Sequence, residues 1–370
     1  MADPGAPRRA AESWARIAES NPAVGVVDTL LRGVGQVMFQ NNPLTGLLFL
    51  VGIFVNSFKL GGAGLLGLAA STLAAYLLGT DRALIRAGLF GFNGILVGIA
   101  LAFFFEFDFL LAVYIVLGAA VSTVVMMALI NLLTPWDMPA LTAPFVLTAW
   151  LLLFAVYQFD FLTPTELIAP AAPDPEAAVQ TALRELATGT GGLTLASLAH
   201  SLFRGVGEVM FEDNLLTGVI FLIAILVNSR ISALFAVLGS AVALLTALAL
   251  GADGFSIYHG LYGFNAVLCA IALGGLFYVL TWKSALYALL AAVFSVVAFA
   301  AIAVLLAPIG MPALTAPFVL TTWLFLWPKA GFGALEPVAL ADVTTAENIQ
   351  ASYRARAAGP STTSEPGEAT

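Results

Sequence analysis

Read for polarity alone, the chain sets ten long apolar stretches between short polar breaks, near 44–58, 62–80, 83–104, 110–133, 138–157, 215–229, 231–251, 256–281, 283–306 and 311–327. The apolar runs are continuous. They do not alternate with period two, so they predict helices rather than the strands of a β-barrel. No charged side chain occurs between Ile231 and Ala252, and none between Lys283 and Met311. A hydrocarbon core of about 30 Å needs roughly 20 apolar residues per helical span. The pattern therefore predicts an all-α integral membrane protein that crosses the bilayer many times.

Superimposed on this pattern is a repeat. GVGQVMFQNNPLTGLLFLVGIFVNS (33–57) matches GVGEVMFEDNLLTGVIFLIAILVNS (205–229) at 16 of 25 positions. LFGFNGIL (89–96) matches LYGFNAVL (261–268), and DMPALTAPFVLTAW (137–150) matches GMPALTAPFVLTTW (310–323), with offsets of 172 and 173 residues. The chain thus divides into a lead-in (1–21), a first copy (22–157), a linker (158–193), a second copy (194–327) and a tail (328–370) read as unstructured. Five stretches fall in each copy. An odd number forces the second copy to enter from the opposite side, which predicts an inverted repeat.

Composition sharpens the picture. The chain is 61% hydrophobic and 10% charged, against about a quarter charged in soluble domains. The net charge of −8 comes mainly from loops and tails, and the absence of a basic patch argues against a nucleic-acid partner. Cys269 is the lone cysteine, and no Cys/His metal motif occurs. The N-terminus lacks the apolar core of a signal peptide and reads as a mobile or interfacial lead-in. The linker carries Asp160, Glu166, Asp174, Glu176 and Glu185 against Arg184, whereas Arg8, Arg9, Arg16 and Arg32 precede the first stretch and Lys329, Arg354 and Arg356 follow the last. By the positive-inside rule both termini face the cytoplasm and the linker lies outside. The Ala-rich composition and short tails suggest a bacterial inner membrane.

The repeated blocks place polar or helix-breaking residues at membrane depth, where interrupted helices survive only inside protein or beside a watery cavity. Gln36 and Phe39, like Glu208 and Phe211, are three residues apart. On a short helix from about Gly33 to Asn41 they share a face, either as an interfacial anchor or as a re-entrant element. A carboxylate such as Glu208 is costly at that depth and marks a pathway. Phe92 and Leu96, like Phe264 and Leu268, lie four apart on one helical face beside Asn93 and Asn265, as packing residues or as pore wall. Pro139 and Pro144, like Pro312 and Pro317, imply a helix that starts or breaks there, leaving carbonyls and the hydroxyls of Thr142 and Thr315 as acceptors, unless each Thr bonds its own helix.

Two such sets would wall a narrow passage with aromatic rings and hydrogen-bond acceptors, without a ring of cations. Hydrated ions gain little there. A small, flat, neutral solute bearing many N–H groups fits, and urea meets that description. The three block pairs resemble the signature of the urea transporter family over roughly 300 residues. The resemblance implies ten transmembrane helices plus two re-entrant half-helices in an inverted repeat of two five-helix halves, assembled as a homotrimer in the bilayer with a pore in each protomer. It implies passive, channel-like urea flux without cofactor or ion coupling, and no enzymatic activity. By motif position it assigns the polar acceptors to Gln36 and Glu208, the slot aromatics to Phe39, Phe92 and Phe264, the apolar walls to Leu96, Leu268 and Val209, and a central constriction to Thr142 and Thr315. Phe211 mirrors Phe39.

Three other readings stand beside it. Glu208 and Asp213 would serve an ion-coupled carrier, but the first copy has no matched carboxylate and carries Gln36 and Asn42 instead. His200 and His259 would serve an ammonium or water channel, but neither recurs. An intramembrane enzyme needs a paired catalytic motif that the repeats lack.

Overall fold

The computed structural model describes residues 6–159, 161–165 and 194–357, which leaves most of the 158–193 linker and the end of the tail outside the described residues. Apart from two isolated β-bridges, the regular secondary structure of these residues is helical. The lead-in and first copy supply α1 (Ala6–Ser20), α2 (Pro22–Gln36), α3 (Pro43–Asn56), α4 (Phe58–Leu77), α5 (Arg82–Arg86), α6 (Gly91–Phe104), α7 (Phe109–Leu133) and α8 (Ala143–Val156). The second copy repeats that order from α9 (Leu195–Gly207) through α10 (Leu215–Asn228), α11 (Arg230–Ala249), α12 (Gly254–Tyr258), α13 (Gly263–Ile271) and α14 (Trp282–Leu306) to α15 (Ala316–Leu326), and α16 (Ala346–Ala357) follows.

The starts of these helices are written in short polar residues. Asn21 accepts from the Ala23 and Val24 N–H groups, with Pro22 in the first turn. Asn42 and Asn214 cap α3 and α10 in the same way. Ser57 ends α3 and caps α4 at once, and Ser229 does the same between α10 and α11. Each of these pairs is therefore joined by a corner with no loop.

Ten stretches do not become ten uniform spans. Among the described residues four helices are long and apolar enough to cross a membrane unaided: α4, α11, and α7 and α14 with their short 3₁₀ continuations. Helices α9 and α10 pass that test only as a pair bent by 73°. Helices α3, α6 and α8 have 14 residues each, or about 21 Å at 1.5 Å per residue, short of the hydrocarbon core. The stretches expected at 83–104 and 256–281 break at Gly88 and Gly260, whose φ of +77° and +74° suit glycine. A Cβ on either would come within 2.4 Å of a backbone nitrogen, that of Gly33 or Gly205. The break lets α2 lie against the start of α6, and α9 against the start of α13.

Two expectations are overturned. No helix covers 33–41: α2 runs into this segment and stops at Gln36, and Phe39 then takes a left-handed φ of 62°. Nor is the tail unstructured through 357. Val338 and Ile349 are buried in the main core, and α16 caps the second copy.

The copies meet through reciprocal contacts. Helix α3 lies against α10, with Phe49 and Phe221 at 4.9 Å. The Thr45 hydroxyl donates to the Ala224 carbonyl (2.8 Å), and Thr217 donates to that of Gly52 (3.0 Å). The Trp150 indole donates to the Pro312 carbonyl (2.9 Å) and the Trp323 indole to that of Pro139 (2.8 Å). Contacts that repeat with their partners exchanged are what a twofold relation produces. Large apolar side chains stay exposed along α7 and α14, such as Val113, Leu117, Leu286 and Leu290, as lipid-facing surface requires.

Candidate functional site

The site forms where the three repeated blocks of both copies converge. Each MPALTAP block leaves its helix in an extended turn and restarts one at Ala143 or Ala316, with proline in the first turn. The restart leaves N–H groups without partners in the helix. Asn93 answers one of them: its Oδ1 accepts from the Phe145 N–H (3.1 Å), and the Asn265 Oδ1 accepts from that of Phe318 (3.0 Å). Both asparagines are fully buried. Through these bonds they tie the starts of α8 and α15 to α6 and α13.

The restart also sets Thr142 and Thr315 on the seam. Their hydroxyls lie 2.7 Å apart, buried, and either can donate to the other. The residue before each, Leu141 and Leu314, is left-handed with φ of 54° and 52°. Phe39 and Phe211 share that region at 62° and 63°. Such conformations cost non-glycine residues on the order of 1–3 kcal/mol and persist where the surroundings impose them, commonly at functional sites. All five left-handed non-glycine residues of the described chain fall in the repeated blocks, the fifth being Asp137, opposite Gly310.

A cavity of about 430 Å³ opens beside this seam on the first-copy side, with Gln36, Phe39, Phe92, Met138 and Thr142 in its wall. The Gln36 amide donates to the Ala87 carbonyl (3.0 Å), which leaves its own side-chain oxygen as an acceptor. Phe39 does not share a helical face with Gln36, as the spacing suggested. The left-handed turn carries it across to the other copy, edge-on to Phe277 (5.9 Å, 89°) and Phe318 (6.0 Å, 73°). Phe211 makes the mirrored crossing to Phe104 (6.1 Å) and Phe145 (6.4 Å), and also meets Phe103. Each loop phenylalanine is thus seated in the partner copy's aromatics.

The remaining expected residues take equivalent places. Leu96 lies one turn beyond Phe92 on α6, buried and outside that cavity's wall. Val209 and Leu268 are buried in the second copy, and Phe264 packs edge-on against Phe299 (5.9 Å). Glu208 sits half-buried where α9 ends, at the position of Gln36.

Four features escaped the sequence reading. Gln40 and Glu212 are both buried within the repeated loops; the Gln40 Oε1 accepts from Asn228 (2.8 Å), which belongs to the other copy. Trp150 and Trp323 tie the copies together. Phe277 and Phe318, like Phe104 and Phe145, complete the aromatic walls. Residues around Leu340 border the first-copy cavity. The glutamine, glutamate and tryptophans do repeat at fixed offset in the sequence. Phe104 and Phe277 lie where the copies have diverged, and no local signal marks them.

Comparison with known proteins points to one family. Residues 27–330 match the family model described as urea transporter. The chain is 36% identical over 307 residues to urea transporter 1 of Ovis aries, covering 82% of this chain and 77% of that one. It is 38% identical over 303 residues to urea transporter 1 of Mus musculus, covering 81% and 76%, and equally to that of Rattus norvegicus.

Proposed function

Because the chain belongs to the urea transporter family, a family of transporters and not of enzymes, we propose that it carries urea passively through a passage between its two copies. The observation that carries this reading is the cavity in which Gln36, Phe39, Phe92 and Thr142 meet and which ends at the Thr142–Thr315 pair. Urea sheds water on entering an aromatic-walled space, and that loss must be offset by hydrogen bonds. It offers four N–H groups, and the wall offers acceptors: the Gln36 oxygen on the approach and the threonine hydroxyls at the seam. The threonine pair keeps lone pairs available whichever hydroxyl donates. Phe92 and Phe39 bound the space so that a flat solute fits and a hydrated ion does not recover its hydration energy. Glu208, Val209, Phe211, Phe264 and Leu268 form the corresponding approach from the second copy, and Leu96, one turn beyond Phe92, is the apolar wall deeper than the first-copy cavity.

The finer architecture belongs to the same proposal. It comprises an inverted repeat of two five-helix halves with re-entrant elements, α9–α10 bent by 73° being the model for one of them. Both termini are cytoplasmic and the protomers assemble as trimers. A reporter at Ala178 found in the cytoplasm refutes the orientation, and a detergent-corrected mass of one chain refutes the trimer.

Stopped-flow shrinkage of proteoliposomes in urea, formamide, ammonium and water tests the transport itself. Urea flux is expected to exceed that of protein-free vesicles and to be unchanged when proton and sodium gradients are collapsed. Flux that collapses with a gradient supports ion coupling through Glu208 and Asp213 instead.

A further inference from the structure

We propose that the C-terminal segment Leu335–Val343 is a fixed wall of the first-copy vestibule and sets which solutes enter it. This rests on the passage described under the proposed function. Leu340, Ala341 and Val343 border the same cavity as Gln36, Phe39, Phe92 and Thr142. They lie beyond residue 330, where the match to the family model ends.

The segment is anchored at three places. First, the Asp137 carboxylate accepts from the Lys329 ammonium (2.7 Å) through one oxygen and from the Leu340 N–H (3.0 Å) through the other. Second, the Val279 N–H donates to the Glu336 carbonyl (2.9 Å) and the Val338 N–H to that of Phe277 (3.0 Å), a bridge that pins the segment beside an aromatic neighbour of Phe39. Third, Glu347 accepts from the Ile231 N–H at the start of α11 (3.0 Å), and Ala346 seats on Gly275.

The second anchor belongs to the shared plan, since Phe105 and Pro164 form the equivalent bridge in the first copy, but the bonds to Asp137 are an addition to it. The Asp137 φ of 50° is left-handed, and the equivalent residue of the second copy is Gly310, at 65°. Glycine takes that conformation with little strain. An aspartate there carries strain, and its carboxylate holds the C-terminal segment by two bonds that glycine cannot make. The residues this segment places in the cavity wall, Leu340, Ala341 and Val343, are apolar, and its exposed Glu336 and Asp342 lie outside that wall. The wall therefore discriminates by size, not by charge, at the mouth of a lane whose acceptors lie deeper.

The test uses the full-length protein in liposomes, with urea and N-methylurea as probes. Leu340→Trp and Val343→Trp should each lower urea flux severalfold and N-methylurea flux further, since one extra methyl group in an apolar pocket changes the preference by about 10- to 200-fold. Leu340→Ala should raise the N-methylurea-to-urea ratio. Folded tryptophan variants with wild-type flux and ratio overturn the wall. If they do not fold, Leu340→Cys replaces them, Cys269 being buried. A methanethiosulfonate reagent applied from both sides should then block urea flux, and labelling without block overturns the proposal. Absence of urea flux in the wild type would instead refute transport itself.

Discussion

Arg32 and Arg204 stand at equivalent positions of the two copies yet make opposite choices of partner. Arg32 donates to Asp28 (2.6 Å), four residues back on its own helix, and reaches the loop only through the Asn41 carbonyl and side chain (3.0 and 2.8 Å). Arg204 has His200 where Arg32 has Asp28. It pairs instead with Asp213 on the loop (3.1 Å), which also contacts His259, while Tyr258 lies under the guanidinium at 4.5 Å. A carboxylate has in effect moved from the helix to the loop. The backbone between is unchanged: Phe39 and Phe211 keep the same left-handed turn, and each crosses to the other copy. The two copies therefore share the geometry of the seam and differ in the residues at the proposed entrances, Gln36 and Asn41 in the first against Glu208 and Asp213 in the second.

This contrast between a symmetric seam and asymmetric mouths can be broken in four ways, the largest effect first. Thr142→Val with Thr315→Val replaces both hydroxyls by methyls of similar size. Each lost buried bond is worth about 1–3 kcal/mol, so urea flux should fall by at least about tenfold while elution volume and helicity stay constant. Wild-type flux in proteoliposomes would remove the seam from the pathway. Asn93→Ala and Asn265→Ala each orphan one backbone N–H, of Phe145 or Phe318. Each should destabilise by about 1–3 kcal/mol, and by similar amounts if the seam is symmetric. Melting curves in detergent that differ widely between the two would show that it is not. Phe92→Ala should widen one approach, so N-methylurea gains relative to urea; an unchanged ratio would return Phe92 to simple packing. Finally, Asp213→Asn should loosen the second loop by no more than about 1 kcal/mol, a half-exposed pair being screened, whereas Asp28→Asn weakens a buried acceptor of both Arg32 and Trp14 and should cost the first helix about 1–3 kcal/mol. Only the Asp213 variant should alter flux, and equal effects on flux would cancel the distinction between the mouths.

Much of this seam was legible because duplication wrote it twice. The MPALTAP blocks announced the helix restarts at Ala143 and Ala316 through proline chemistry, and the GFN blocks placed Phe92 and Phe264 correctly on helices. What the sequence concealed was tertiary. Gly33 and Gly35 look like helix-start residues, yet α2 starts at Asn21-Pro22, a cap signal lying upstream of the repeated block. With α2 ending at Gln36, the three-residue spacing to Phe39 lost its helical meaning. The breaks at Gly88 and Gly260 are imposed by close approach to Gly33 and Gly205, a contact 55 residues away that no local window contains. The tail's apolar residues are too sparse to register as a periodic element, but Val338, Ala346 and Ile349 each find a place in a core already built.

The exchange of Phe39 and Phe211 between copies has an evolutionary consequence. Neither copy encloses an aromatic pocket alone, so a substitution at 39 is judged by 277 and 318, and one at 211 by 104 and 145. After the gene doubled, drift on one side was answerable to the other. Changes in the pockets are therefore coupled across the molecule, while the ion pairs of Arg32 and Arg204, each made within its own copy, were free to part ways.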